Sequence, residues 1–333
     1  MRSAKDSNKN PLRYLAILLV AVFLVSAVLV AVNLWESGQG LFPGQGMDGQ
    51  PSVIEYNGQD YVLREDVETV LVMGLDKFEM PENADSYNND LQADFLILLV
   101  IDEKNESCSA IHINRDTMTP VNVLGVAGQK IDTQTMQIAL SHTFGNGKEV
   151  SCNNTADAVS RLLYGVKIDH YVSLTMDAVA LINDMVGGVE VTVLEDFSDI
   201  DDTLIQGEKV TLQGDQALTY VRTRYGVGDS SNATRMNRQR QYLQALFDQV
   251  RAKSETDESF SLNSSMELAE YMVTSGSVNQ MQSLMDKIVA YDDVTIRSIE
   301  GESVVGDEFM EFYPDEQSLK KEVVELFTKP KDE

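Results

Sequence analysis

Positive charge is scarce in this sequence of 333 residues. Its 26 Lys and Arg stand against 53 Asp and Glu, and the formal net charge is −27. Nucleic-acid binding relies largely on cations that neutralise phosphates, so this balance argues against a nucleic-acid-binding protein. It also keeps the surface solvated and repels anionic polymers, unless a local cluster of cations overrides it.

Cysteine and histidine are also rare. Cys108 and Cys152 either form a disulfide, which would contribute about 4 kcal/mol, or are two buried thiols, and the sequence favours neither. His112, His142 and His170 are scattered, without a zinc-type pair, and we expect structural roles for them. No glycine-rich phosphate loop, dinucleotide fingerprint or nucleophile elbow occurs. These absences exclude the usual motifs of zinc, nucleotide and serine-hydrolase chemistry.

One long apolar segment lies near the N-terminus. Residues 14–32 carry no charge and are long enough to cross a hydrocarbon core of about 30 Å. Four basic residues and one acidic residue precede them, which predicts that residues 1–13 are cytoplasmic and the chain after Trp35 is outside. The alternative is a cleaved signal peptide, but the run exceeds the usual apolar region and no clear cleavage motif follows. We therefore predict that residues 14–35 form a single-pass anchor in the cell membrane and that the domain after it is extracytoplasmic.

The remaining chain predicts an α/β fold. Continuous apolar runs of strand length, at residues 69–75, 95–101 and 109–114, are typical of a sheet covered on both faces. Helical patterns alternate with further strands, which predicts a central sheet sandwiched by helices in an α/β/α arrangement. The predicted helices are 153–165, 175–188, 233–253, 278–291 and 318–327, and the further strands are 170–174 and 189–193.

Composition suggests the domain boundaries. Residues 36–52 are rich in Gly, Pro and Gln and are predicted to be a flexible linker. Asn57-Gly58, between two alternating runs, predicts a hairpin over residues 53–63 that opens the folded domain. We place the main domain at 53–253 and an extension packed on it at 254–333. Residues 76–94 are polar and are expected to form a long surface loop.

The scarce positive charge is concentrated in one segment. From Arg222 to Arg240 there are five arginines, no lysine and one acidic residue, Asp229. A guanidinium binds phosphate oxygens in a bidentate manner, whereas lysine acts as a point charge. The residues alone leave two roles for Asp229, an ion-pair partner or a general base, and favour the first. The segment is therefore a candidate site for an anionic ligand.

The spacing of these arginines predicts a cleft. On a helix over residues 233–253, Arg235 and Gln239 share a stripe with later apolar residues, and Arg238 lies at its edge. Since polar groups are costly to bury without partners, we expect these first turns to face a cleft. Arg222 and Arg224 alternate, and in an extended segment they would point to one face. The four arginines would then form a pocket for a dianionic or trianionic group.

Acidic residues lie at the ends of three predicted strands. Asp76 follows one apolar run, Asp94 precedes the next, and Asp116 follows Arg115 after the third. Strand ends are frequent positions of ligand sites in α/β sheets. Two carboxylates that face arginines would suit Mg²⁺ bridging phosphates. The alternative is that each aspartate only caps a helix or forms a turn.

The order of these motifs resembles that of a known family. From residue 67 to residue 246 the chain reads, in turn, VLVMGLD, ADFLILLVID, SAIHINRDT, LQGDQALTYVRTR and DSSNATRMNRQRQYLQAL. This order, behind an N-terminal anchor, resembles the LytR-CpsA-Psr family of bacterial cell-envelope proteins. The resemblance implies a phosphotransferase that moves a glycopolymer, such as a teichoic acid or capsular polysaccharide, from a polyprenyl diphosphate to peptidoglycan. It further implies that the lipid occupies an apolar tunnel and that arginines and Mg²⁺ hold the diphosphate.

The resemblance also assigns roles to residues. By motif, Asp76 and Asp94 would bind the metal, and Asp229 would be the base for the attacking hydroxyl. The residues implied to hold the diphosphate are Arg115, Arg222, Arg224, Arg235, Arg238 and Gln239. One departure concerns Gln92, where family members usually carry an arginine. With one cation fewer, the alternative is a non-catalytic envelope protein that binds polyprenyl phosphate or has a regulatory role.

Overall fold

The computed structural model of the chain describes residues 53–76, 78, 91–291, 294–307 and 309–331. The predicted cytoplasmic segment, anchor and linker, all within residues 1–52, lie outside this range, as do residues 79–90 of the predicted surface loop. Within the described ranges, no helix combines the length and the apolar character that a membrane span requires. The described residues form a mixed α/β fold.

The helices and strands follow one another along the described chain. The strands are β1 (Val53–Tyr56), β2 (Gln59–Leu63), β3 (Glu68–Leu75), β4 (Ala93–Asp102), β5 (Ser107–Ile113), β6 (Met118–Leu124), β7 (Lys130–Gln137), β8 (His170–Thr175), β9 (Val189–Thr192), β10 (Lys209–Leu212), β11 (Met272–Thr274), β12 (Val294–Ser298), β13 (Gly301–Val305), β14 (Met310–Pro314) and β15 (Thr328–Pro330). The α-helices are α1 (Glu149–Leu162), α2 (Asp177–Met185), α3 (Asp215–Arg222), α4 (Asn232–Thr256), α5 (Phe260–Glu267), α6 (Val278–Ala290) and α7 (Glu316–Phe327). Short 3₁₀ helices cover Ile138–Thr143 and Leu268–Tyr271.

A six-stranded mixed sheet forms the centre, in the order β11-β8-β3-β4-β5-β12. The pairs β3–β4, β4–β5 and β11–β8 are antiparallel, whereas β3–β8 and β5–β12 are parallel. The two edge strands, β11 and β12, come from the part of the chain after residue 253. The C-terminal part of the chain therefore completes the sheet.

Both faces of the sheet are covered, as the continuous apolar runs predict. Along β4, Leu96 and Leu98 enter a core cluster with α1 and α7, whereas Ile97 and Leu99 enter a second cluster with α6 and α4. Alternate side chains of a strand point to opposite faces, so a strand buried on both sides must be apolar throughout. A third cluster joins α3 and α4 to the β9–β10 hairpin.

Four smaller sheets accompany the central one in the described residues. One has three strands in the order β1-β2-β15, and three are two-stranded pairs, β6–β7, β9–β10 and β13–β14. In the predicted N-terminal hairpin, Asn57 and Gly58 have φ of 50° and 76°, the left-handed values that a tight Asn-Gly turn requires. That prediction is confirmed. The β6–β7 hairpin is missing from the sequence-based interpretation because β7 is largely exposed and polar.

The two cysteines are free and buried, which resolves the alternative that the sequence leaves open. Cys152 belongs to the cluster on the α1 side of the sheet, and Cys108 to the cluster on the α6 side. Because the sheet separates them, these thiols have no route to a disulfide in this fold. Burial raises the pKa of each thiol to about 12.

Candidate active site

A cavity of about 730 Å³ lies between the sheet and the helices α2, α4, α5 and α6. Its floor consists of β8, β3 and β4, through side chains such as Val172, Val72 and Ile97. The apolar stripe predicted on the long helix α4 lines it with Tyr242, Leu243, Leu246 and Val250. The cavity is thus an apolar chamber of the size of a small-molecule site.

Polar side chains line the same cavity where strands and helices end. They are Asp94, Arg115, Arg222, Arg224, Arg235 and Gln239. Strand register explains why side chains from three strands lie close together. Leu75 of β3 pairs with Ala93 of β4, and Leu96 of β4 pairs with Ile113 of β5. Asp76, Asp94 and Arg115 therefore stand at one edge of the sheet. The structure brings together most of the residues that the sequence singles out.

Two of these arginines contact carboxylates. Arg115 binds the carboxylate of Asp94, and its Nε lies 3.3 Å from Asp116 Oδ1. Arg115 also donates to the side-chain oxygen of Gln92, so the residue at the unusual position contacts the site through its amide. An Arg222 nitrogen lies 3.0 Å from Asp76 Oδ1.

Arg224 and Arg235 contribute positive charge without a carboxylate partner in the described part of the chain. Arg224 donates to the Tyr225 hydroxyl at 2.7 Å and lies 4.6 Å from the centre of that ring. Arg235 is 9% exposed and donates to Asn232 Oδ1 at 2.7 Å. Burial, followed by the nearby charges of Arg115 and Arg224, lowers the pKa of Arg235 to about 10. The charge of Asp116 acts in the opposite direction but is outweighed. A buried cation whose positive charge is only partly compensated favours an anionic ligand.

Arg238 has a different environment from the other arginines. It is fully buried, does not line the cavity, and is held by Glu195 and by the main-chain oxygens of Tyr220 and Thr223. Its neighbour Gln239 does line the cavity and also donates to the Val221 carbonyl at 3.1 Å. The helical stripe predicted the position of Gln239, but it did not reveal the partners of Arg238.

The prediction of an extended segment around Arg222 and Arg224 is wrong. Arg222 is the last residue of α3, and the chain becomes extended only at Thr223. The two arginines line the same cavity because the helix ends between them, not because they alternate along a strand. The helical pattern of residues 215–222 was the missed signal, including the apolar Ala217, Tyr220 and Val221 that α3 buries.

Asp229 lies on the turn before α4 and outside the cavity lining. Its Oδ1 accepts hydrogen bonds from the Ser231 amide at 2.9 Å and from the Thr234 hydroxyl at 2.6 Å. These bonds, led by that from Thr234, lower its pKa to about 2. A carboxylate with so low a pKa is a weak general base near neutral pH. Its contacts stabilise the first turn of α4, where Ser231 is the N-cap.

Tyr225 and Asn232 are site residues that the sequence analysis missed. Tyr225 lines the cavity although it is 72% exposed, and Asn232 holds Arg235. Tyr225 directly follows Arg224, so the adjacency of an aromatic residue and an arginine could have indicated it. Asn232 gave no such signal, since its role depends on the start of α4.

Two of the acidic residues have the chemistry that the magnesium ion implied by the family resemblance would need. Mg²⁺ is usually held by one or two carboxylates together with waters and substrate phosphates, not by a full set of protein ligands. Asp76 and Asp94 provide two carboxylates at one edge of the sheet. In the ranges that the structure describes, no cluster of three or more acidic, histidine or cysteine side chains forms a fuller cage. Oxygen donors of a bound ligand would have to complete the coordination.

Together, the fold and the site define an α/β protein that can hold a molecule with an apolar chain and an anionic end. The LytR_cpsA_psr family model matches residues 46–327. The chain belongs to this family, LytR-CpsA-Psr, as the order of its motifs predicts.

Named relatives and solved structures agree with this assignment. The chain is 26% identical over 246 residues to the polyisoprenyl-teichoic acid–peptidoglycan teichoic acid transferase TagU of Bacillus licheniformis, over 74% of this chain and 72% of that one. It is 28% identical over 234 residues to the protein of the same name in Halalkalibacterium halodurans, over 70% and 67%. The crystal structure of B. subtilis TagV shares the fold, with a TM-score of 0.58 and 23% identity over 79% of this chain and 98% of that one.

Proposed function

We propose that this protein transfers a glycopolymer from a polyprenyl diphosphate to peptidoglycan. The observation that carries the proposal is the continuity of an apolar cavity with a group of arginines, two of which, Arg224 and Arg235, form no ion pair with a carboxylate among the described residues. An isoprenoid chain suits the apolar interior, and a diphosphate suits the arginines. The names of the two TagU relatives, both teichoic acid transferases, support the same reaction class.

In the proposed reaction, a hydroxyl oxygen of the acceptor attacks the phosphorus that bears the glycopolymer. A new phosphodiester bond forms, the bond to the bridging oxygen breaks, and polyprenyl monophosphate leaves with the electron pair. The proton of the attacking hydroxyl passes to a base, either Asp229, as the family resemblance implies, or a phosphate oxygen or solvent. Phosphoryl transfer depends mainly on positioning and on neutralising charge at the phosphate oxygens. In this proposal Arg224 and Arg235 would bind those oxygens, together with Arg115 and Arg222, which lie in the same cavity lining.

Mg²⁺, when bound, would neutralise charge on the phosphate oxygens, and Asp76 and Asp94 are the residues proposed to hold it. Both carboxylates contact an arginine in this structure. Binding a dianionic head group would give these arginines phosphate oxygens as alternative partners. Asp76 and Asp94 could then bind the metal, and neither Arg115 nor Arg222 would be left without a negatively charged partner.

Two roles can be assigned to Asp229, and one substitution separates them. The family resemblance implies a general base, whereas its hydrogen bonds from Ser231 and Thr234 favour a structural role. Asp229→Asn retains the Oδ1 acceptor and removes the charge. A loss of turnover of about 100-fold or more would identify a base, whereas near-normal turnover would assign the residue to the turn.

The predicted anchor at residues 14–35 completes the proposal. It would hold the domain at the outer face of the cell membrane, where a polyprenyl-linked donor resides. The partners proposed are therefore the lipid-linked glycopolymer, peptidoglycan and the membrane itself. No nucleic-acid partner is proposed.

The test uses the full chain in detergent with a polyprenyl-diphosphate-linked glycopolymer and peptidoglycan. We expect release of polyprenyl monophosphate that requires Mg²⁺ and falls by about 100-fold or more in Arg224→Lys and in Asp94→Asn. Arg240→Lys is the matched control, because Arg240 lies outside the cavity lining and contacts Asn237 of its own helix. Binding of the lipid without turnover would instead support the non-catalytic alternative.

A further inference from the structure

We propose that Arg238 is a positioning residue that holds the end of α3, so that Arg222 and Arg224 reach the cavity. It does not bind the diphosphate itself. This inference rests on the proposed function, because it concerns the alignment of the arginines assigned to the diphosphate. It also reassigns Arg238, which the family resemblance placed among the ligand-binding residues.

The end of α3 is where this alignment is decided. The last carbonyls of any helix lack partners within the helix. Here, the Tyr220 carbonyl accepts from Arg238 Nε at 2.9 Å, and the Thr223 carbonyl accepts from a terminal nitrogen of the same guanidinium. The Val221 carbonyl accepts from Gln239 at 3.1 Å. Two adjacent side chains of α4 thus fix the main chain on both sides of Arg222.

The surroundings of Arg238 leave no nitrogen for a ligand. Its third nitrogen, Nη1, lies 3.1 Å from Glu195 Oε2, and the guanidinium lies 5.3 Å from the centre of the Phe197 ring. Arg238 is fully buried, whereas Arg235, almost one helical turn earlier, lines the cavity. Each guanidinium nitrogen of Arg238 is therefore engaged by the protein.

The chemistry of the contact explains why an arginine occupies this position. Two carbonyls and one carboxylate surround the side chain, and only a planar group with several donors can bind all three. A cation at a helix C-terminus is also favoured by the helix dipole. Lysine would keep the charge but not the three contacts. We therefore expect Arg238→Lys to loosen the end of α3 while leaving a cation in the core.

Two measurements on the full chain in detergent test the inference. In hydrogen exchange without ligand, Arg238→Lys should speed exchange in residues 219–228, and Arg240→Lys should not. In calorimetric titration with inorganic pyrophosphate, Arg238→Lys should bind about 10-fold or more weakly. Binding of an uncharged isoprenoid alcohol to the cavity should stay unchanged in both variants.

A double-mutant cycle separates positioning from direct contact. If Arg238 acts through Arg222 and Arg224, the variant with Arg238→Lys and Arg224→Lys should bind pyrophosphate little more weakly than Arg238→Lys alone. Multiplicative losses would show a direct ligand contact and overturn the inference. Unchanged exchange in residues 219–228 would overturn it as well, and so would loss of isoprenoid-alcohol binding, which would indicate general damage to the fold. If the wild-type chain fails to bind pyrophosphate, the proposed function fails, and the exchange result still decides the role of Arg238.

Discussion

Replacement of Arg235 by methionine should stabilise the folded protein and weaken its binding of diphosphate. Arg235 is 9% exposed, and its Nε is buried without a hydrogen-bond acceptor in the described structure. Arg115 and Arg224 are neighbouring positive charges that outweigh the negative charge of Asp116. Methionine has a similar length and fills the space without charge. The substitution therefore removes a buried cation whose positive charge the protein compensates only in part, and which a bound anion would compensate further.

The pKa of Arg235 gives the size of the effect. A value of about 10, below the ordinary value of an arginine, corresponds to roughly 3 kcal/mol of unfavourable free energy. The group is protonated in both the folded and unfolded states below pH 9, so this destabilisation is constant across the neutral range. Loss of the hydrogen bond to Asn232, which involves a charged group, offsets at least about 1.5 kcal/mol. We expect a net stabilisation of about 1 kcal/mol, or a rise in Tm of roughly 2 to 4 °C.

Binding should change in the opposite direction. A hydrogen bond to a charged group contributes about 1.5 to 3 kcal/mol, so pyrophosphate should bind roughly 10- to 150-fold more weakly to Arg235→Met. Thermal unfolding with and without pyrophosphate measures both effects, and Arg240→Met is the control for binding. A lower Tm in Arg235→Met would refute the argument that the buried charge of Arg235 lowers the stability of the folded protein. Unchanged pyrophosphate affinity would refute the argument that this charge binds an anion.

Three further predictions concern stability. Burial lowers the pKa of His112 to about 3 and that of His142 to about 4. In the unfolded chain a histidine takes up a proton below about pH 6.5. The free energy of unfolding should therefore fall by about 2 kcal/mol for each histidine as the pH drops from 7 to 5. Urea unfolding at the two pH values measures this loss, and it should shrink in His142→Gln. Gly147 has φ of +73° and its added Cβ would lie 2.4 Å from the Phe78 carbonyl oxygen, whereas Gly207 has φ of +84° and open space around it. Gly147→Ala should therefore reduce the free energy of unfolding by about 2 kcal/mol or more and Gly207→Ala by only about 1 kcal/mol, and equal losses would show that the close approach is unimportant. Because both cysteines are free, a reducing agent should leave Tm unchanged, and mass spectrometry of the unreduced protein should find no disulfide.

The sequence by itself determined the central strands, the main helices and the family. Continuous apolar runs such as the one in β4 admit few structures other than a strand buried on both faces. The apolar stripe from Tyr242 to Val250, with Arg235 and Gln239 on the same face, predicted that α4 borders a cleft. These features are local, because they depend on the periodicity of one segment. The predicted membrane anchor also depends only on the pattern of one segment. It stays a prediction because residues 1–52 lie outside the described structure.

Only the tertiary structure decided which arginines face the cavity and which support the fold. Arg235 and Arg238 are three residues apart on one helix, and their difference comes from Glu195 and the end of α3, which lie far away in sequence. In the same way, the sheet separates Cys108 from Cys152, although nothing in their spacing indicates it. Contacts between distant segments depend on how the elements pack. For that reason a pattern within one segment could predict that a charged side chain is buried, but not which group it binds.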